Sequence, residues 1–261
     1  MSAGGGGGAA EVLRLVSLAE RPDLGEALGD HQVQDGVWPG FMLHDPVADR
    51  LWHHLGDDFA SFQLALLDPE DRIVAGANAS PLAWDGTDDD LPIGWDDQFE
   101  RSVAGLLAGT QPDTLGAIQI VVGPGQRSRG LSARMLDGLR QAAVEHGYRA
   151  LIACVRPPLK SAYPLTPIER YVGWTRTDGL PFDPWIRVHI RAGGRIARPS
   201  PRSMVITGTI AEWERWASMA FPESGTYVVP GALVPVDIDR SADVGTYHDP
   251  NVWIVHELVV S

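Results

Sequence analysis

The sequence has little of two reactive side chains, with one cysteine, Cys154, and one lysine, Lys160, among its 261 residues. A single cysteine excludes an internal disulfide framework and suits a reducing compartment, so we expect a cytoplasmic protein. No apolar run reaches the roughly 18–20 residues that a membrane-spanning helix needs, and no membrane association is expected. The opening MSAGGGGGAA lacks the positive flank and apolar core of a secretory signal and predicts a disordered tail over residues 1–10.

Positive charge is also scarce, because 34 acidic residues outweigh 21 basic ones and give a net charge of -13. This excess disfavours nucleic acids and anionic membranes as partners, since the average field repels phosphates. An anionic ligand must therefore be held by a local group of positive side chains. All basic residues except Lys160 are arginine, which binds phosphate through paired hydrogen bonds.

Hydrophobic periodicity predicts a chain of alternating strands and helices. We expect a first strand over 11–16, helices near 24–34 and 46–55, a hairpin of 62–68 with 72–80, and a helix over 96–107. Towards the C-terminus we expect a helix in 183–194, a strand over 203–209, a helix over 209–219 that begins with a Thr209–Glu212 capping box, and strands in 227–239 and 251–260.

The segment IQIVVGPGQRSRGLSARMLDGLR gathers glycines and arginines between a strand and a helix. The strand is predicted over 117–122, the helix from Leu131 to Gly147, and a second strand over 149–155 that a right-handed crossover would place parallel to the first. Free amides at the helix start, close backbone approach at the glycines, and the side chains of Arg127 and Arg129 together predict a phosphate or pyrophosphate site. The alternative from composition alone is an ordinary glycine-rich turn with two solvated arginines.

Two familiar phosphate-binding signatures do not fit this loop. A Walker A loop would end in Gly-Lys-Ser/Thr, and no lysine is near. The dinucleotide fingerprint is half present, with Gly123 and Gly125 but Ser128 where its third glycine belongs, and the following strand ends without the acidic ribose ligand.

The stretch VGPGQRSRGLS instead resembles motif A of the GNAT family, the Gcn5-related N-acetyltransferases. The matching positions are Val122, Pro124, Arg127, Gly130 and Ser132, with Arg129 at the place of a frequent second arginine. The resemblance covers about residues 117–196 firmly and implies one acyltransferase domain over 11–261. It implies an α/β fold, in which a mixed central sheet with splayed central strands is flanked by helices and followed by an extended C-terminal α-β-β segment.

The same resemblance implies an acyl-CoA co-substrate, most simply acetyl-CoA, and an amine of a small molecule as the acceptor. The amine would attack the thioester directly, with no metal and no covalent enzyme intermediate. The implied co-substrate-binding residues are Val122, Gln126, Arg127, Ser128, Arg129, Gly130, Leu131 and Ser132.

Catalytic groups are harder to assign. The family often has a tyrosine as proton donor in Tyr-x-x-x-Gly-Phe, and HIRAGGR places His189 there, with Gly194 instead of phenylalanine. His189 is therefore our candidate acid, although it could equally be a base or a packed helix histidine. Glu100 is a candidate base that could also be a solvated residue, and Gln119 could position only a water or the substrate. Cys154 reads as a core residue.

Acceptor recognition is expected from aromatic residues outside motif A. Trp38, Phe41 and Trp95 are the candidate acceptor-binding residues, although such side chains more often form core. Three readings of function remain open from the sequence alone. The first is an N-acetyltransferase, the second is a GNAT-fold protein that binds acyl-CoA or acts structurally without transfer, and the third is an enzyme repurposed for another acyl-thioester reaction. The C-terminal segment could form a homodimer contact or a lid.

Overall fold

The computed structural model describes residues 12–34, 36–123, 125–126 and 129–259, so the predicted N-terminal tail lies outside the described residues. In the described part of the chain the strands are β1 (Arg14–Ser17), β2 (Gln63–Leu67), β3 (Ile73–Leu82), β4 (Thr114–Val122), β5 (Ala150–Val155), β6 (Arg195–Gly208), β7 (Gly225–Tyr227), β8 (Val236–Asp239) and β9 (Val244–Glu257). The α-helices are α1 (Gly25–Gln32), α2 (Pro46–Leu51), α3 (His53–Asp57), α4 (Trp95–Ala108), α5 (Leu131–Glu145), α6 (Ile168–Tyr171), α7 (Pro184–Arg191) and α8 (Ile210–Ala217).

The strands form one mixed sheet in the order β1-β2-β3-β4-β5-β9-β8-β7, and β6 pairs with the other edge of β9. Neighbouring strands are antiparallel except for β4 and β5, which are parallel as the sequence predicts for a strand-loop-helix-strand unit. The sheet therefore confirms the predicted GNAT-type architecture.

Helices cover both faces of the sheet, and glycines allow the closest approaches. A Cβ on Gly76 would lie 2.6 Å from Cδ1 of Leu28 in α1, and one on Gly116 would lie 2.6 Å from Nε2 of Gln98 in α4. Strand alternation puts both helices on one face, here named the α4 face. On the opposite face, the α5 face, a Cβ on Gly138 would lie 2.6 Å from Leu15 and 3.4 Å from Leu64.

The C-terminal segment differs from the predicted α-β-β arrangement. The helix α8 is followed by three strands, and the stretch predicted as one strand over 227–239 is two short strands, β7 and β8, joined by a loop. The last strand begins at Val244 and enters the centre of the sheet beside β5, so the segment is part of the central sheet. The hydrophobic pattern did not predict the full length of β6 and β9, because the first half of each strand contains polar residues and proline.

Other predicted elements agree closely with the structure. The β2–β3 hairpin and α4 are confirmed, and the Thr209–Glu212 capping box begins α8. The predicted helix over 46–55 is two short helices, α2 and α3. No helix among the described residues combines the length and apolar character required to cross a bilayer.

Candidate active site

The central feature of the site is a gap between β4 and β5. The two strands pair only over Thr114–Ala117 and Ala150–Ala153, although β4 continues to Val122. The Gly123 amide donates to the carbonyl of Val74 at 3.2 Å, and antiparallel alternation then turns the peptide groups of Ile120 and Val122 away from β3, towards the gap. The splayed strands predicted from the sequence are confirmed, and they leave backbone donors and acceptors available to a ligand.

A bulge in β4 marks the point where the gap opens. The β3–β4 register shifts at Asn78 and Ala79, which leaves Ile118 without a cross-strand partner. The Ile118 carbonyl accepts a hydrogen bond from the indole Nε1 of Trp95 at 2.7 Å. Trp95, one of the predicted acceptor residues, therefore lies at the mouth of the gap on the α4 face.

The N-terminus of α5 lies at the end of β4, as an anion site requires. Gly130 takes a left-handed conformation with φ +73° immediately before the helix, and the Arg134 amide donates to the Gly130 carbonyl at 3.2 Å. The amides of Leu131 and Ser132 come before Arg134 and have no carbonyl one turn earlier in the helix to accept from them, so they point out of the helix end with the positive pole of its dipole. This end fits a diphosphate.

The loop before α5 carries the remaining predicted phosphate contacts. The Gln126 amide donates to the Gly123 carbonyl at 3.1 Å, and Gly125 has φ +80°, which makes a tight turn. Arg129 donates to Oε1 of Gln126, so these two predicted residues lie together. Arg127 and Ser128 lie outside the described residues, and their roles stay predictions.

The structure places His189 away from the open part of the gap. It is 1% exposed, and its Nδ1 lies 3.0 Å from Nε2 of His256, which pairs with Leu151 in the closed half of the sheet. Burial lowers the pKa of His189 to about 3 and that of His256 to about 4, with a contribution to His189 from the charge of His256. This setting favours the packed-histidine alternative over the acid.

These two histidines should make stability depend on acidity. Their folded pKa values lie below the ordinary value near 6.5, so the unfolded chain binds protons first as the pH falls. We expect unfolding free energy to be lost from about pH 6.5 down to about pH 4 for His256 and about pH 3 for His189, by up to about 1.4 kcal/mol per pH unit for each histidine. Urea titrations at several pH values measure this, and a His189→Leu/His256→Leu variant should lose less than the wild type over the same range. If the double variant loses unfolding free energy with falling pH as steeply as the wild type does, these two histidines are not the cause of the loss.

Glu100 lies on the exposed side of α4. Its side chain is 47% exposed and forms an ion pair with Arg50 of α2. That position matches the solvated alternative.

The remaining predicted acceptor residues belong to the hydrophobic core, which is the alternative that the sequence left open for them. Phe41 is 1% exposed and lies 5.6 Å from the ring of Trp213 and 5.1 Å from that of Tyr247. Trp38 is partly buried against the same core. Among the three predicted acceptor residues, Trp95 is the one whose hydrogen bond reaches β4.

Ser203 of β6 is a residue that sequence reasoning missed. Its hydroxyl accepts from the Trp95 amide at 2.8 Å and lies 3.1 Å from Sγ of Cys154 and 2.8 Å from the side-chain amide of Asn251. Ser203 therefore joins the start of α4 to β5 and β9. Burial raises the pKa of the Cys154 thiol to about 12, so the thiol is protonated at neutral pH and behaves as core.

A second missed group lies just beyond the end of β5. Nε of Arg156 lies 3.0 Å from Oδ1 of the fully buried Asp249, and Nη2 donates to the Gly231 carbonyl at 2.9 Å. The Tyr247 hydroxyl donates to the same Asp249 oxygen at 2.5 Å. No spacing along the chain predicts this cluster, because its members come from the residue after β5, from β9 and from the loop between β7 and β8.

Comparison with known proteins agrees with this geometry. The profile of the Acetyltransferase (GNAT) family matches residues 32–166. Arginine N-acetyltransferase avaD of Aspergillus versicolor is 34% identical over 94% of this chain and 93% of its own length.

Two solved structures share the fold at low identity. The loading GNATL domain of CurA from Lyngbya majuscula has a TM-score of 0.57 at 15% identity and covers 95% of this chain and 98% of its own. The GphF GNAT-like decarboxylase in complex with isobutyryl-CoA has a TM-score of 0.55 at 18% identity, over 95% of this chain and 100% of its own. With a family profile over half the chain and a relative aligned over nearly all of it, this protein belongs to the GNAT family and is an acyl-CoA-dependent N-acyltransferase.

Proposed function

We propose that the enzyme transfers the acetyl group of acetyl-CoA to an amino group of arginine or of a close guanidino-amine. The observation that carries this proposal is the 34% identity with an arginine N-acetyltransferase over 94% of the chain. Full-length alignment at that identity includes the N-terminal half and the C-terminal segment, where acceptor recognition is expected.

The electrostatics of the α4 face support a cationic acceptor. The net charge of -13 attracts cations in general, and two carboxyl groups lie next to Trp95. Oδ1 of Asp45 accepts from the Val47 and Ala48 amides, and Oδ2 of Asp96 accepts from the Val205 amide at 3.0 Å. Their other oxygens are buried, and no described residue outside this pair donates a hydrogen bond to them.

The two carboxyl groups act as one acidic unit. Burial raises the pKa of both, and repulsion from Asp45 helps to raise that of Asp96 to about 8. Two such groups share one proton near neutral pH and together keep one negative charge. A guanidinium that enters beside Trp95 would meet that charge, and guanidinium–carboxylate pairs are among the stronger hydrogen-bonded contacts.

The residues of the gap account for transfer without a covalent enzyme intermediate. Acetyl-CoA, when bound, supplies an activated acyl carbon and a thiolate leaving group. The amides of α5 and the arginine loop hold the diphosphate, and the peptide groups of Ile120 and Val122 orient the acyl arm between β4 and β5. An N–H from β4 that donates to the acyl oxygen stabilises charge that develops there.

An acceptor panel tests the proposal. Purified enzyme with acetyl-CoA is expected to release thiol with arginine and with agmatine, and more slowly with lysine, which lacks the guanidinium, and mass spectrometry should show one added acetyl group. Asp45→Asn/Asp96→Asn should raise KM for arginine about tenfold while changing KM for a neutral amine little, because it removes the one negative charge that the pair keeps. Glu100→Gln is the matched control on the helix that carries Asp96. Thiol release with neutral amines and no thiol release with arginine would overturn the guanidino-amine assignment.

A further inference from the structure

Amine acetylation needs a group that takes a proton from the acceptor, because an alkyl ammonium has no lone pair for attack. The candidates that the sequence suggested do not face the gap in the structure, since Glu100 is paired at the surface and His189 is buried against His256. Asp96 is turned towards Asp45 and the Val205 amide. We propose that His31, in the last turn of α1, is the general base; this inference rests on the amine acetylation proposed above.

His31 lies directly on the end of β4. A Cβ on Gly123 would be 2.9 Å from Cε1 of His31, so the ring occupies the space above the last residue before the phosphate loop. Gly123 follows Val122, whose peptide group faces the gap, and both His31 and Trp95 are on the α4 face. The ring therefore lies beside the open half of the β4–β5 gap, on the face where Trp95 meets β4.

The imidazole of His31 is buried, and one of its ring nitrogens lacks a hydrogen-bond partner among the described residues. His31 is 4% exposed, and its Nε2 has no hydrogen-bond partner among the described residues. A buried ring nitrogen without a partner is uncommon and calls for a water or a ligand. The neutral imidazole can accept a proton at such a nitrogen, so an acceptor amine or a bridging water would complete its hydrogen bonding.

Burial also keeps the ring neutral before the substrate binds. Burial lowers the pKa of His31, and the carbonyl of Val121 opposes that fall. The residues around the ring carry no charge: these are Val121 of β4, Gly123 just after that strand, and Leu28 and Gln32 of α1. Asp30 is its charged neighbour along the helix. A neutral histidine near physiological pH is the state that a base requires.

A row of amide side chains leads from α1 to the gap on this same face. Oδ1 of Asn78 accepts from Nε2 of Gln32 at 2.5 Å and from Nε2 of Gln119 at 2.9 Å, and Nδ2 of Asn78 donates to Gln63 at 2.7 Å. Gln119 is the half-buried end of this row on β4. Such a row can position a water between the acceptor and His31, which is the role that the sequence left open for Gln119.

The proton and electron changes balance with His31 in this role. Nε2 of His31 takes one proton from the acceptor ammonium, directly or through a water, and the freed lone pair forms a bond from nitrogen to the thioester carbonyl carbon. The carbon–sulfur bond breaks, and its electrons leave with sulfur. A second N–H proton passes to the thiolate, and the imidazolium returns its proton to solvent.

The decisive experiment compares His31→Gln with His146→Gln. His146 lies elsewhere, against Phe62 and Tyr148, with its Nδ1 2.8 Å from the Ala142 carbonyl, so it is a matched histidine control. His31→Gln should lower kcat for arginine about 100-fold or more while changing the calorimetric Kd for acetyl-CoA less than about threefold, and His146→Gln should leave kcat near wild type. Circular dichroism and melting temperature check that both variants fold.

Two further readouts separate a base from a structural residue. The low-pH limb of the wild-type kcat profile should be lost in His31→Gln, and imidazole should restore part of the activity of His31→Ala. Hydroxylamine, which is largely unprotonated at neutral pH, should be acetylated with a much smaller loss. In the proton-NMR spectrum of the free protein, the His31 signal should titrate below the ordinary range. Equal losses with both nucleophiles, or wild-type kcat in His31→Gln, would overturn the proposal.

The two proposals fail in different ways. If wild-type enzyme acetylates some other amine but not arginine, the guanidino-amine assignment fails, and the His31 comparison is made with the amine that is accepted. If arginine is acetylated and His31→Gln is unimpaired, the base assignment fails and the acceptor assignment stands.

Discussion

Replacement of Arg156 by methionine is expected to destabilise the protein by about 3–5 kcal/mol, because it leaves a buried charge without its partner. Asp249 is fully buried and Arg156 is 14% exposed, so water cannot replace the lost guanidinium. Burial raises the pKa of Asp249, and the guanidinium opposes that rise. Without Arg156 the carboxyl must be protonated in the folded protein, although it ionises in the unfolded chain.

The loss in Arg156→Met should therefore grow with pH. Above an unfolded-state pKa near 3.9 the unfolded chain releases the proton that folded Asp249 retains, so unfolding free energy falls by up to about 1.4 kcal/mol per pH unit. Denaturant titrations at pH 5 and pH 8 measure this slope. Arg50→Met is the control, because its ion pair with Glu100 is about half exposed on both sides and should be worth less than about 1 kcal/mol.

A second variant distinguishes charge from packing. Arg156→Met/Asp249→Asn removes both charges and should recover part of the stability, since the asparagine can still accept from the Tyr247 hydroxyl. Equal stability of the single and double variants would mean that the buried charge is not the cause, and a loss in Arg50→Met as large as in Arg156→Met would contradict the argument from burial.

The other large effect is expected at the phosphate loop. Changing Arg127 and Arg129 together to alanine should weaken acetyl-CoA binding at least about tenfold, which corresponds to about 1.4 kcal/mol. Charge-assisted hydrogen bonds contribute about that much or more each, and the α5 amides that remain explain why binding is weakened and not abolished. Isothermal calorimetry measures the change directly.

That test needs a control that distinguishes the loss of any two positive charges from the loss of two positive charges at the loop. Arg50→Ala/Arg215→Ala removes two exposed arginines from α2 and α8, so it changes the net charge equally while leaving the loop intact. Its acetyl-CoA affinity should stay within about twofold of wild type, with a small loss from the weaker long-range field. Equal affinity in the wild type and in the Arg127/Arg129 variant would remove the loop from the co-substrate site.

Local signals were sufficient for much of the architecture. The hairpin, α4, α5 with its left-handed Gly147, and the parallel pair β4–β5 all follow from periodicity, caps and turn residues that lie close together in the chain. The full length of strand β9 could not be predicted from such local signals. Its start at Val244 is predicted from its local sequence as a polar loop, and pairing with β6 and β8 holds it as a strand.

The same difference between neighbouring and distant residues applies to the candidate site. The strand-loop-helix that we propose binds the diphosphate could be predicted because its backbone conformation and charge come from one continuous stretch. Burial decided the interpretation of isolated histidines and carboxylates. His189 is enclosed by His256, Glu100 is paired with Arg50, and His31, which drew no attention as a residue, lies on Gly123.

The sequence by itself determined that a helix begins behind a glycine- and arginine-rich turn, because dihedral preferences and free amides are properties of neighbouring residues. Tertiary structure alone decided which distant residues meet, such as the indole of Trp95 with the Ile118 carbonyl and the Trp95 amide with the Ser203 hydroxyl. The physical reason is that desolvation and hydrogen-bond partners depend on residues far apart in the chain, and a proton acceptor is defined by those surroundings.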